Sequence, residues 1–456
     1  MKNQPEQIAA IFDKIAARNL SHITTAYFDH NGKPRSKYYH IQSLHKALLE
    51  GLALNLGIFS VSVNEKQMQN SIFLRAEQEF RDGLLQLDAS SCRDLPLGQD
   101  HHGLLLIGEL VDEYRAYCCR ALLAAELQRY NSIGLLPSGA FEIEWYMLRE
   151  TPASVTEKLP HQILAEPGFE TFYSFTDQTA DNDLFAAIQT DCEIMGLPVE
   201  SLHNEFSTLM EAALLPAEGI SIADNAALFK ALIKTIARKR GLLASFMARR
   251  HQQLQGCGAH VNLTLLGADN HTGLFYDAAA ADQITDTLLH FIGGLQKYTP
   301  ELFLLQCPNL NSFRRLQAGL FAPLSNTWGI NNKTVAYRVV NTTPSAARIE
   351  VRLPGADINP YLSLLGILIA GRLGIEEKLQ PAPPVQGDGW SAPSPDGLAW
   401  PPDFPAAIAA FDRSAPARKY LGDAFVDCFV SGRQWQLDDL GDTITDWEIH
   451  TFIEGV

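Results

Sequence analysis

Residues 346–355 read AARIEVRLPG, and the order of those ten side chains decides how the chain is read. In an extended strand successive side chains point to opposite faces. Arg348, Glu350 and Arg352 therefore share one face, while Ile349, Val351 and Leu353 share the other. Three further segments repeat the pattern. In GCGAHVNLTLL, residues 256–266, His260, Asn262 and Thr264 lie on one face. In AFEIEWYML, residues 140–148, Glu142 and Glu144 project together, and in TVAYRVV, residues 334–340, Arg338 stands among apolar neighbours. An antiparallel sheet with one wet face would account for any one of these segments. Jointly they gather Glu, His and Arg with few Lys or Ser. Carboxylates with imidazole suit a hard divalent cation such as Mg2+ or Mn2+, and arginines beside them suit bidentate binding of carboxylate or phosphate. A site with both reads as metal-assisted phosphoryl transfer.

Outward from these strands, the spacing predicts an α+β protein. Residues 22–110 read as short strands and turns, including HITTAYF before a DHNG turn, a strand at 61–64 and one at 103–110. His101 and His102, in GQDHHG, read as loop residues. An amphipathic helix precedes this part, and a helical pattern at Asp112–Asn131 follows it. Further helices are expected at 182–196, 223–249, 281–295, 359–377 and 405–431. The stretch Pro381–Pro405 holds eight prolines and three glycines and reads as a loop or flap. The expected division is a small N-terminal domain over 1–111 and a large C-terminal domain over 112–456.

Composition narrows the function. Lys and Arg total 36 against 52 Asp and Glu, a formal charge of −16 over 456 residues, which argues against a nucleic-acid partner. Hydrophobic residues at 46% argue against disorder. The longest mainly apolar stretch, Tyr361–Ala370, is too short to span a membrane. Seven irregularly spaced cysteines with no CxxC predict reduced thiols and a cytoplasmic location.

Several long segments resemble the glutamine synthetase superfamily. NSFRRLQAGLFAPLSNTWGINNKTVAYRV (311–339) and ARIEVRLPGADINPYLSLLGILIAG (347–371) look like its C-terminal core. GCGAHVNLTLLGADNHTGLFYD (256–277) resembles its Gly-Ser-Gly-x-His strand, FEIEWYML (141–148) its Glu-x-Glu strand, and AYFDHNGKPRSK (26–37) its N-terminal domain. The resemblance implies a β-grasp-like N-terminal domain and a catalytic domain built on an antiparallel sheet with helices. It implies two or more divalent ions, Mg2+ or Mn2+, with ATP and glutamate as substrates. One ion would be held by Glu142, His260 and Glu350, the other by Glu144, Glu205 and Glu211. Arg315 and Arg352 match arginines that hold glutamate and the transferred phosphate, and Gly256 matches a glycine whose backbone lies against glutamate. Arg338, Arg348, Glu200, Asn262 and Tyr173 match nucleotide-site positions. It also implies a homo-oligomer, a dodecamer of two hexameric rings.

The departures from the family bear on the substrate. Where ammonia-using members carry a glutamate that deprotonates ammonium, this chain has Phe321. Where they carry an aspartate in the N-terminal domain, ALNLGIFSVSV (53–63) has no acid. A phenyl ring cannot accept a proton, and it suits an amine with its own hydrocarbon. The pattern resembles the γ-glutamyl-polyamine and γ-glutamyl-amine ligase branch. Asn262, Lys333, Ser345 and Gln255 stand where the family has histidine, arginine, lysine and asparagine. These changes keep two alternatives open: a divergent glutamine synthetase using ammonia, and a poorly catalytic regulatory or binding paralogue.

Overall fold

The computed structural model describes residues 3–74, 81–98, 101–158, 162–163, 172–180, 182–206 and 209–454, with backbone alone for 97, 101, 112 and 281. Its strands form two sheets. The first takes β1 (His22–Phe28), β2 (Pro34–His40), β3 (Leu52–Asn55), β4 (Asp82–Leu87), β5 (Arg93–Gly98) and β6 (His101–Leu110). Its order is β2-β1-β6-β4-β3, with β5 paired to β6. The second takes β7 (Leu135–Leu148), β8 (Val199–Asn204), β9 (Leu209–Leu214), β10 (Ala217–Glu218), β11 (Leu243–Ser245), β12 (Ala259–Gly267), β13 (Trp328–Ile330), β14 (Tyr337–Val340) and β15 (Arg348–Val351). Its main order is β13-β14-β15-β12-β7-β9-β8. Each sheet is antiparallel except for one parallel pair, β1 with β6 and β13 with β14. The α+β class holds.

The second sheet buries its apolar face against helices Ser221–Lys239, Asp286–Leu302 and Pro360–Glu376. The last is buried from Pro360 to Gly374, which fits its nearly unbroken apolar sequence. The charged face of the sheet is left for the site. The two sheets are tied by a buried arginine. Arg120 donates to Asp88 at 2.9 Å and Glu109 at 2.6 Å beside the first sheet, and to Asp224 at 2.9 Å on the helix behind the second. A buried guanidinium needs such partners, because leaving one charge unpaired is costly.

Several expected elements differ. Residues 61–64 make a bridge and a turn after the 3-10 helix Leu56–Ser60, so no strand forms there. His101 and His102 open β6, opposite Gly98 and Pro96, rather than lying in a loop; Gln99 and Asp100 fall outside the described residues. The helix expected over 223–249 stops at Lys239, because Gly241 adopts φ 69° and turns the chain into β11. The helix expected over 405–431 is three, Phe404–Asp412, Ala415–Leu421 and Asp423–Gly441. Pro416 is confined to the first turn of the second, and Gly422, at φ 87°, ends it. The Pro381–Pro405 stretch is a strap on the β13 edge. Val385 N–H donates to Trp328 O at 2.8 Å, and the Trp328 indole N–H returns to Ala382 O at 2.6 Å. Among the described residues no helix is long and apolar enough to cross a membrane.

Candidate active site

Strand register brings the charged residues together. β12 against β7 sets His260 opposite Glu142. β15 sets Glu350 opposite Asn262, and β14 sets Arg338 opposite Glu350. On the other flank, β9 sets Glu211 opposite Glu144, and β8 sets His203 opposite Glu211. Glu205 follows β8 and is turned back by its N–H bond to Leu209 O at 2.7 Å. Two groups result: Glu142, His260 and Glu350, and His203, Glu205 and Glu211. In each, the candidate ligand atoms lie within 4.8 Å of one another. His260 Nδ1 is 3.2 Å from Glu142 and 3.5 Å from Glu350. His203 Nε2 is 3.0 Å from Glu205 and 3.5 Å from Glu211.

The groups differ in charge balance. Glu350 is bracketed by Arg338, at 2.8 Å, and Arg352. Burial alone would raise its carboxyl, but Arg352, His260 and Arg338 outweigh that and hold it below the usual range. Glu142 is lowered too: burial opposes ionisation, but His260, then Arg352 and Lys333, overcome it. Glu211 goes the other way. Burial and then the charges of Glu142, Glu144 and Glu205 push its carboxyl far above the carboxylate range. Three like charges around a buried acid are what a divalent cation would relieve, and the donors, carboxylate oxygen and imidazole nitrogen, are those that Mg2+ or Mn2+ accept. The donor set therefore fits the implied metals. Among the described residues, the Nε atoms of Arg338 and Arg352 are buried without a hydrogen-bond partner.

A cavity of about 160 Å³ opens over the two groups. Glu142, Glu144, Glu205, Glu211 and His260 line it, with Gly256, Arg315, Arg352, Phe321, Tyr173 and Lys333. Glu350 sits just behind, against His260 and the two arginines. Arg315 is buried, bonded to Leu353 O at 3.0 Å and Arg352 O at 3.2 Å. It packs so closely that a Cβ on Gly256 would lie 2.8 Å from its Cγ, and one on Gly258 would lie 2.6 Å from His260 Nε2. Glycine at both positions is thus a demand of the site. The Tyr173 ring lies against His203, with centroids 4.5 Å apart and planes at 52°, beside the second group. Arg348 and Asn262 bond each other at 2.9 Å, outside the cavity lining. Glu200 sits exposed at the β8 bulge, and it too is absent from the lining. His203 was not singled out from the sequence. Its only local signal is the His-x-Glu spacing to Glu205 at the end of a strand.

Residues 116–452 match the family described as glutamine synthetase, catalytic domain. The chain is 28% identical over 451 residues to type-1 glutamine synthetase 2 of Dictyostelium discoideum, covering 97% of this chain and 86% of that one. It is 26% identical to a glutamate–isopropylamine ligase from a Pseudomonas species, covering 98% of each. It is also 26% identical to a γ-glutamylethanolamide synthetase of Streptomyces coelicolor, covering 99% and 97%. Among solved structures, a GmaS/ADP complex superposes with a TM-score of 0.82 at 23% identity, over 97% of this chain and 99% of that one, which is a likeness of fold. The chain belongs to the glutamine synthetase catalytic-domain family and is an ATP-dependent ligase.

Proposed function

We propose that this ligase joins the γ-carboxyl of glutamate to a primary organic amine. The observation that carries the reading is Phe321. It lines the cavity beside the charged groups, at the position where the resemblance to ammonia-using enzymes expects a glutamate. A phenyl ring offers hydrocarbon contact and no proton acceptor, so it favours an amine with a carbon chain over ammonium.

In this reading Glu142, His260 and Glu350 hold one divalent ion, and Glu144, Glu205 and Glu211, with His203 beside them, hold another. Bound there, such ions neutralise charge on the phosphoryl and carboxyl oxygens. Arg315 and Arg352 orient glutamate and the transferred phosphoryl, with the Gly256 backbone against glutamate. Arg338, Arg348, Asn262, Glu200 and Tyr173 serve the nucleotide. The γ-carboxylate oxygen attacks the γ-phosphorus of ATP, ADP leaves, and γ-glutamyl phosphate forms. The amine nitrogen then attacks the acyl carbon, the C–O bond to phosphate breaks, and the amine gives up a proton. The division at residues 111 and 112, a dodecamer of two hexameric rings and a cytoplasmic location complete the proposal. The absence of disulfides among the seven cysteines supports the last.

The test is phosphate release from ATP with glutamate and a panel of ammonia, monoamines and polyamines. The expected result is faster turnover with an organic amine than with ammonia. Equal or faster turnover with ammonia would favour a divergent glutamine synthetase. Nucleotide binding without turnover on any amine would favour a regulatory paralogue.

A further inference from the structure

The proline-rich strap contributes no charged group to the site, yet it carries a residue that reaches the amine wall. Phe321 has φ 50°, a left-handed backbone that a bulky side chain rarely adopts. Such a conformation persists only where its surroundings impose it. Two contacts do so. The Phe321 carbonyl accepts from Arg352 Nη2 at 3.3 Å, and its ring meets the Trp390 ring edge-on, with centroids 5.4 Å apart and planes at 77°. The Trp390 indole N–H also donates to the carbonyl of the next residue, Ala322, at 3.1 Å. One indole thus grips both the ring and the backbone of the 321–322 segment.

Trp390 is itself fixed. Its backbone N–H donates to Asp388 Oδ1 at 2.9 Å. The preceding Gly389 donates to Thr334 Oγ1 at 2.7 Å, and a Cβ there would lie 2.7 Å from Thr334 and from Val335, so the strap lies flat on the chain leading into β14. Phe321 is 54% exposed, and among the described residues Trp390 supplies the only aromatic ring against it.

We propose that Trp390 is a positioning residue that sets the size of amine the site accepts. It does so by holding Phe321 as the wall of the amine subsite. This rests on the reading of Phe321 as that wall. Edge-to-face contact fixes the ring orientation; without it, the Phe321 ring swings toward solvent and the subsite widens. The strap thereby becomes part of the specificity apparatus, although it contributes no group to the chemistry.

The experiment compares kcat/KM for benzylamine and for methylamine in the wild type and in Trp390→Ala, Trp390→Phe, Phe321→Ala and the Trp390→Ala/Phe321→Ala double variant. Trp390→Ala should raise the benzylamine-to-methylamine ratio about tenfold, the scale on which a pocket resolves small differences in hydrocarbon bulk. KM for ATP and glutamate should change by no more than about twofold, because no ground-state contact to either is lost. Trp390→Phe keeps a ring and should keep a ratio near that of the wild type. The double variant should shift no further than Phe321→Ala alone, since the two act as one unit. Should Trp390→Ala fail to fold, Trp390→Leu carries the same comparison. An unchanged ratio in the truncated variant, or additive shifts in the double variant, overturns the role of Trp390 while the ligase reading stands. A wild type that prefers ammonia to both amines overturns the ligase reading and this inference with it.

Discussion

The two candidate ligand groups lie side by side on one sheet, and they solve the problem of buried charge in opposite ways. Glu142, His260 and Glu350 are balanced from within: Arg338 and Arg352 bracket Glu350, and both carboxyls are held low. His203, Glu205 and Glu211 have only an imidazole among them, and Glu211 is held high by burial and then by its neighbours' charge. The Glu142 and Glu350 carboxyls are thus held ionised without a cation. A cation entering the second group would have to displace the Glu211 proton. The arginines explain the asymmetry. Arg338 stands on β14 and Arg352 directly follows β15, both against Glu350.

The largest effect should come from breaking the balanced group. Glu350→Gln keeps the size of the side chain but strips its charge, freeing both arginines and removing a candidate ligand. Turnover should fall about 100- to 1,000-fold, the cost of losing one strong electrostatic contributor, while the circular dichroism spectrum is retained. Activity near the wild-type level would remove Glu350 from the metal set. In the unbalanced group, His203→Ala should weaken Mn2+ binding about 10- to 100-fold by titration calorimetry. Unchanged affinity would mean that His203 merely fills space beneath Tyr173.

The smallest effect sharpens the comparison through pH. A raised carboxyl pKa means that folded, metal-free Glu211 keeps its proton where the unfolded chain has lost it. Its contribution to stability is therefore fully present below the ordinary carboxylate pKa and is lost as pH rises toward the raised value. A divalent cation binds the ionised form and cancels that loss. The gain in Tm on adding Mg2+ should accordingly be larger at pH 8.5 than at pH 6.5. A gain independent of pH would mean that Glu211 is already ionised.

Much of the site was legible because period-two alternation fixes which face a strand residue occupies. Glu142, Glu144, His260, Glu350 and Arg338 could be set on faces that way. Which face meets which neighbour is a matter of register, and register is long-range. His203 faces Glu211 only because β8 pairs with β9. Trp390 meets Phe321 across 69 positions of chain, through a strap with no periodicity to read. The elements that differed were local in cause. At 61–64 a β-prone VSVN forms a turn after a 3-10 helix, and at Gly241 and Gly422 left-handed glycines cut helices whose apolar pattern runs on. Propensity reads composition, whereas these breaks are set by single backbone angles.

Amine selection is decided by a competition. The protein is given ATP, Mg2+, glutamate and equimolar ammonium and methylamine, and the products are weighed by mass spectrometry. γ-Glutamylmethylamide is expected as the main product; glutamine as the main product would show that the site selects ammonia.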